Sequence, residues 1–374
     1  MLQKTTYNVE KARAIPKENR GFLEIQRNKC TFAAIVNMYD MKMIRNILST
    51  SLLLTGIALF SCGNSSKNNE LTETEEAMKV EAPAFNADSA YHYIEQQVAF
   101  GPRVPNTEAH RKCGDYLATQ LEKFGAKVYN QEMEVTAYDG TVLKARNIIG
   151  AYLPESKKRV LLCAHWDSRP YADNDKDEKN YHTPIDGAND GGSGVGVLLE
   201  IARQLQQKAP QIGIDIIFFD AEDYGTPHFY KGEYKADTWC LGSQYWGRMQ
   251  HVQGYNARYG ILLDMVGGKN ATFYYEGYSQ RTAGKEMKKI WKVAHELGYG
   301  SFFPKERGSE VVDDHIYVNQ FTQIPCVDII HYNPTGDTGF CATWHTVNDN
   351  MQDIDKATLK AVGQTVMGVI YNEK

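Results

Sequence analysis

Cysteine is scarce and scattered in this 374-residue chain. Five of its seven cysteines lie beyond position 62, at Cys113, Cys163, Cys240, Cys326 and Cys341, an odd set without paired spacing. That pattern excludes a disulfide framework and a cysteine zinc knuckle. Positive charge is not in excess: 41 Lys and Arg stand against 46 Asp and Glu, and a net charge of -5 carries no nucleic-acid footprint. Internal repeats are absent, so a solenoid or propeller is not expected. The longest apolar run, 47–60, falls short of the roughly 20 residues that a full bilayer span requires. What remains, 42% hydrophobic and 23% charged, is ordinary globular material for one large domain or two small ones.

The amino terminus is the least typical part. From Met41 the sequence reads MKMIRNILSTSLLLTGIALFSCGNSSK, with Lys42 and Arg45 ahead of the apolar run and Ser61 before Cys62. This resembles a bacterial lipoprotein signal peptide in which Cys62 becomes the lipidated first residue. The resemblance implies a signal at 41–61, a lipid anchor at Cys62 and a place in the cell envelope, periplasm-facing or at the surface. Translation is then expected to begin at Met41 or Met43, with 1–40 a gene-model extension. Residues 62–83 are polar and acidic and read as a flexible tether, leaving 84–374 as the folded domain.

Within that domain, apolar spacing predicts helices over 88–100, 107–124, 192–207, 282–297 and 356–371. Strands are predicted at 127–135 and 141–149, flanking the hairpin signal Asp139-Gly140, and at 159–163, 215–220, 261–264 and 326–330. Strands alternating with helices imply an α/β fold, a sandwich whose central mixed β-sheet is flanked by helices and carries the early hairpin at its antiparallel edge. Two irregular insertions, 171–184 and 225–237, interrupt the alternation, and charge runs such as 173–179 read as solvated loop without a role.

The segment 214–225, IDIIFFDAEDYG, organises the rest. An unbroken apolar run reads as a strand buried on both faces, and it ends in Asp220, Glu222 and Asp223. In open α/β sheets ligands bind at the carboxyl ends of the strands, and carboxylates gathered there favour a hard cation. Alone, such a cluster also suits a solvated loop. Other strand ends add to it: His165-Trp166-Asp167-Ser168, the glycine-rich turn Gly187-Ala188-Asn189-Asp190 leading into a helix, and Asp264 after Ile261-Leu262-Leu263. Trp344-His345-Thr346 follows in a late loop. Separate segments supplying nitrogen and carboxylate donors are what a catalytic zinc site needs.

These motifs, together with Leu263-Asp264-Met265-Val266-Gly267, resemble the zinc aminopeptidase superfamily, and within it the zinc-dependent glutaminyl-peptide cyclotransferases of the animal type. The resemblance runs from Ala90 to the carboxyl terminus. It implies one zinc per chain, held by Asp190, Asp223 and His345, with Glu222 as general base and then acid. Asp313, in Asp313-Asp314-His315-Ile316, and Asp264 are implied to share a proton at the leaving group, and Trp344 and Phe340 to wall the substrate pocket. The implied partners are peptides or proteins with an amino-terminal glutamine, which become pyroglutamyl with release of ammonia. Asp223 departs from the pattern by one methylene, since the animal cyclases carry Glu there. Their aromatic residue shortly after the paired acids is replaced by Tyr224 and His228, and the insertion from Gly225 is expected to rebuild that wall with Trp239. A two-zinc aminopeptidase, using His165, Asp190, Asp223, Asp264 and His345, is the alternative, and an inactive peptide-binding lipoprotein is a second.

Overall fold

The computed structural model describes residues 81–374, which fall in one compact unit. The extension, the signal and almost all of the tether lie outside the described residues. Six strands form one sheet: β1 (Lys127–Thr136), β2 (Val142–Tyr152), β3 (Arg159–His165), β4 (Gly213–Phe219), β5 (Gly260–Asp264) and β6 (Cys326–Ile330). Their order is β1-β2-β4-β3-β5-β6. The hairpin pairs antiparallel and joins β4 antiparallel, whereas β4, β3, β5 and β6 run parallel. The mixed α/β sandwich inferred from the alternation is therefore the fold.

Alternation along the strands divides the interior into two cores. Val160, Leu162, Ala164, Ile214, Ile216, Phe218, Ile261 and Leu263 share one apolar cluster. It also takes residues from α1 (Ala87–Val98), α2 (Glu108–Lys123), α3 (Gly192–Gln207), α6 (Gly284–Glu296) and α8 (Lys356–Ile370). Leu161, Cys163, Ile217, Phe219, Leu262 and Cys326 point the other way, toward Trp246 of α4 (Leu241–Arg248) and Val318 of α7 (Asp314–Thr322). Successive side chains of a strand point to opposite faces, so a run buried on both sides makes both cores at once. All five cysteines of the domain are buried and free, as their spacing implied.

The helix boundaries follow their caps. Asn86, Thr107 and Asp355 accept the amides of Ser89, His110 and Ala357 ahead of α1, α2 and α8. The helix expected over 282–297 is α6, and a further short helix, α5 (Gly277–Thr282), precedes it across Ala283. Glu276 caps α5 through two amides, a start signal beside a Gly-Tyr pair that the apolar spacing does not reveal. The short helices α4 and α7 escape the apolar spacing as well. Each is under three turns, too short for a 3.6-residue period to repeat convincingly.

The glycine-rich start of α3 lies in close contact on two sides. A Cβ on Gly194 would stand 2.2 Å from the Leu263 carbonyl oxygen, and one on Gly196 would stand 2.5 Å from Ile94. Small residues here let the helix settle onto β5 and α1. Gly194→Ala is expected to lower unfolding free energy by about 1–3 kcal/mol, because the obstacle is backbone and cannot rotate away. A urea midpoint equal to wild type would show that α3 tolerates the shift.

Candidate functional site

The parallel strands end at one edge, and this is why distant carboxylates meet. His165 ends β3, Asp264 ends β5, and Asp220 to Asp223 follow β4 directly. The β4 exit is held by side chains that accept backbone amides. Asp220 takes the amides of Ala221 (2.7 Å) and Arg146 (2.6 Å), and His110 Nε2 lies 2.9 Å from both of its oxygens. Ala221 adopts a left-handed conformation, φ 51°, which turns the chain sharply. Asp167 then receives the amides of Glu222 and Asp223, one on each oxygen at 3.1 Å. Asp349 does the same for Asn189 (2.7 Å) and Asp190 (3.0 Å). The sequence motifs give neither Asp167 nor Asp349 a role. A carboxylate that clamps two successive amides of a remote turn leaves no local pattern.

Asp190, Asp223 and His345 converge. His345 Nε2 is 3.1 Å from Asp223 Oδ1 and 3.5 Å from Asp190 Oδ2. Asp190 Oδ2 and both oxygens of Asp223 are buried yet make no hydrogen bond. Unpartnered buried oxygens facing a ring nitrogen are costly as they stand and suit a cation between them. The nitrogen and oxygen donor set fits zinc. Asp223 reaches the imidazole despite its shorter side chain. Burial and the charge of Asp190 push its carboxyl up to about 6, against His345 and Arg169.

His165 forms a second trio with Asp190 and Asp264, its Nε2 lying 3.0 Å from Asp190 Oδ1 and 3.2 Å from Asp264 Oδ1. Glu222 stands beside the first trio with one side-chain partner, the Cys240 thiol, 3.1 Å from Oε1. Burial drives its carboxyl well above the usual range, with Asp223 and Asp313 adding to the push and His165 opposing it. Asp313, at the cap of α7, lies within 4.8 Å of Glu222 and Cys240. Its carboxyl too is raised, by burial and then by Asp264 and Asp314.

A cavity of about 810 Å³ opens over these groups. Trp344 stacks on His345 with ring centres 3.9 Å apart, and Phe340 packs on Trp344 at 4.6 Å. Both aromatics line the cavity, as does Trp239, near-parallel to the His345 ring at 5.9 Å. The insertion after Gly225 therefore brings Trp239 to the wall.

Most of the charge run 173–179 is solvated, as its composition suggests, but its first residue is not. Asp173 is buried and lies 3.4 Å from His345 Nδ1. Arg169 grips Asp173 through two bonds, 2.6 and 2.7 Å, donates to the Asp223 carbonyl at 3.0 Å and lies 4.5 Å over Trp239. Against burial, Arg169 and then His345 hold the Asp173 carboxyl well below its ordinary range. The following residues bind the His345 loop, with Asn174 donating to the His345 carbonyl and Asp175 accepting from Val347. An acidic partner on the remote nitrogen of a ligand histidine fixes its tautomer.

This architecture and donor set define an exopeptidase-like α/β metalloenzyme scaffold. The sequence model of peptidase family M28 matches residues 147–370, and the chain belongs to that family. It is 62% identical to a Zn-dependent exopeptidase from Parabacteroides distasonis, with a TM-score of 0.78 over 78% of this chain and 100% of that one. It is 64% identical to the Bacteroides thetaiotaomicron glutaminyl cyclase solved with N-acetylhistamine, with a TM-score of 0.77 over 79% of this chain and all of that one. Aminopeptidase YwaD of Bacillus subtilis is 26% identical over 326 residues, 84% of this chain, which spans 62% of that protein's length.

Asp173→Asn is expected to weaken zinc affinity about 10- to 100-fold, the usual effect of removing a carboxylate behind a ligand histidine. Chelator competition measures it. An unchanged affinity would remove Asp173 from the support of His345.

Proposed function

We propose that this chain is a glutaminyl-peptide cyclotransferase that closes amino-terminal glutaminyl residues to pyroglutamyl residues and releases ammonia, with one zinc per chain. The observation that carries this reading is Glu222 beside three buried ligand candidates, Asp190, Asp223 and His345, on the floor of a cavity walled by Trp344 and Phe340. The 64% identity to a glutaminyl cyclase supports it.

Asp190, Asp223 and His345 would hold the zinc, which when bound would supply Lewis acidity toward the side-chain carbonyl. Glu222 accepts a proton from the α-amine as its nitrogen bonds to the side-chain carbonyl carbon. It returns the proton to the carboxamide nitrogen, which leaves as ammonia when its bond to that carbon breaks. Burial suits Glu222 to both steps, because it raises the affinity of the carboxylate for that proton. Asp264 and Asp313 share a proton and bind the amide nitrogen. Trp344 packs on the apolar methylenes, and Phe340 backs it.

A two-zinc aminopeptidase is the second reading, favoured by the trio His165, Asp190 and Asp264. The α-amine distinguishes them. In cyclisation it is the nucleophile, and a lone pair donated to a second ion is withheld from the γ-carbonyl. His165 therefore stays hydrogen-bonded to its carboxylates. Glu222→Gln is expected to retain zinc and lose about 10²–10⁴ in rate, the worth of a general acid–base. Ammonia release from a Gln-initiated peptide, amino acid release from its Leu-initiated analogue and metal content of both proteins are measured together. Two zinc ions per chain with free leucine as product would assign the aminopeptidase, and a fully active variant would displace Glu222.

The amino-terminal reading adds the envelope location: residues 41–61 direct export and Cys62 carries the lipid. None of the described helices is long and apolar enough to cross a membrane. Labelled palmitate is expected to enter the full-length protein and to be absent from Cys62→Ser. Equal labelling of both would place the anchor elsewhere.

A further inference from the structure

Behind the pocket lies a second group of buried titratable side chains that the reaction above does not use. Asp328 sits in the middle of β6, on the face that packs against α7, and its side chain is fully buried. Neither of its carboxylate oxygens makes a hydrogen bond. His315, also fully buried, presents Nδ1 to Asp328 Oδ2 at 3.6 Å, and that nitrogen has no hydrogen bond either. Asp313 Oδ2 is a further buried oxygen without a partner. The three side chains offer ligand atoms within 4.8 Å of one another.

The far side of His315 accounts for this geometry. Its Nε2 lies 3.1 Å from Glu276 Oε2. Glu276 already accepts the amides of Tyr278 (2.8 Å), Ser279 (2.6 Å) and Val311 (3.2 Å). A carboxylate so surrounded by donors is ionised, so the ring proton of His315 belongs on Nε2. That leaves Nδ1 as an acceptor. Asp313 and Asp328 each place a carboxylate oxygen, and His315 a ring nitrogen, within 4.8 Å of one another, and Asp313 Oδ2, both oxygens of Asp328 and His315 Nδ1 all lack a hydrogen-bond partner. A buried cluster of this kind needs a proton or a cation.

A proton on Nδ1 and a proton on Asp328 give the same net charge. The first creates a buried ion pair across 3.6 Å, too long for a hydrogen bond. The second creates two neutral groups and supplies a donor for Asp313. The titratable groups facing Asp328 are otherwise acidic: Asp313, Glu276, Asp264 at the end of β5, and Cys326 on its own strand. We infer that Asp328 carries a proton at neutral pH and donates it to Asp313, acting as a positioning residue for the acid that lines the pocket. Burial, followed by the charge of Asp313, favours the protonated form in the same direction. Asp313 Oδ1 is already held by the Asp314 amide at 2.5 Å, so the Asp328 proton fixes its second oxygen and with it the orientation of the carboxyl plane. The role given to Asp313 rests on the cyclase reading; the location of the proton does not.

Infrared difference spectroscopy of the zinc-loaded full chain, wild type minus Asp328→Asn at neutral pH, tests the proton directly. A protonated-carboxyl C=O band present in wild type and lost in the variant is expected. A difference confined to carboxylate bands would overturn the assignment, as would one fewer bound metal ion in the variant, which would make the cluster a cation site. Kinetics test the positioning. Asp328→Asn keeps a donor of the same shape and is expected to stay within about threefold of wild-type kcat for ammonia release. Asp328→Leu is expected to lose about tenfold in kcat at unchanged KM, the effect of one buried hydrogen bond. Equal losses in both variants, or none in Leu, would deny Asp313 its dependence on Asp328. The infrared result stands even if Asp328→Leu does not fold. Wild-type protein that releases no ammonia would refute the cyclase reading while leaving the proton assignment to the spectrum.

Discussion

Negative charge concentrated in the interior is the constraint on which this structure depends. Asp167, Asp190, Asp223, Asp264, Asp313, Asp314 and Asp328 are all buried near the carboxyl edge of one sheet, with Glu222 only slightly less so. Arg169 is the guanidinium among them, and His165, His315 and His345 are the imidazoles. Isolated carboxylates in such a medium are untenable, so each must be compensated by a backbone dipole, a histidine, a proton or a metal. The molecule uses all of these, and the choice at each position separates scaffold from chemistry.

Asp167 and Asp349 are held by amides and Asp220 by amides together with His110, and their work is to hold turns. Each accepts two backbone N–H groups, and through them the segments that carry the ligand candidates are fixed. Asp173 is compensated by Arg169 and His345, which ties the late histidine loop to the insertion before α3. Asp190 and Asp223 retain oxygens that make no hydrogen bond, an arrangement that suits a cation. Glu222 receives only a thiol, the weakest of these partners, and a carboxylate so lightly held keeps a high proton affinity. The number of partners thus falls from two backbone amides at each turn to a single thiol at Glu222.

The aromatic side chains act on the same balance from outside. Trp344 and Trp239 flank the His345 loop and keep water from its imidazole, while Phe340 braces Trp344. Dry walls strengthen every electrostatic interaction in the cavity. His345 itself holds a left-handed backbone conformation, φ 53°, a strain tolerated because Asn174 and Asp175 pin the backbone at and just beyond it.

Much of this is legible in the residues themselves. Fully buried strands such as 214–219 announce themselves as unbroken apolar runs, α3 and α8 as periodic ones, and the hairpin by Asp139-Gly140, because these signals are local and repeat over many residues. Asp190, Glu222, Asp223, Asp264, Asp313 and His345 stand out as candidate site residues through motifs at strand ends and a family resemblance resting on several segments at once. What sequence could not decide were the partnerships. Whether Asp173 faces solvent or an imidazole 172 positions away, whether Asp349 grips the turn at Asp190, and whether Asp328 meets His315 depend on which strand ends lie side by side. A carboxylate has the same side chain in a solvated loop and in a charge-starved interior. Only the tertiary packing sets its dielectric and its neighbours, and these determine whether it holds a backbone, a metal or a proton.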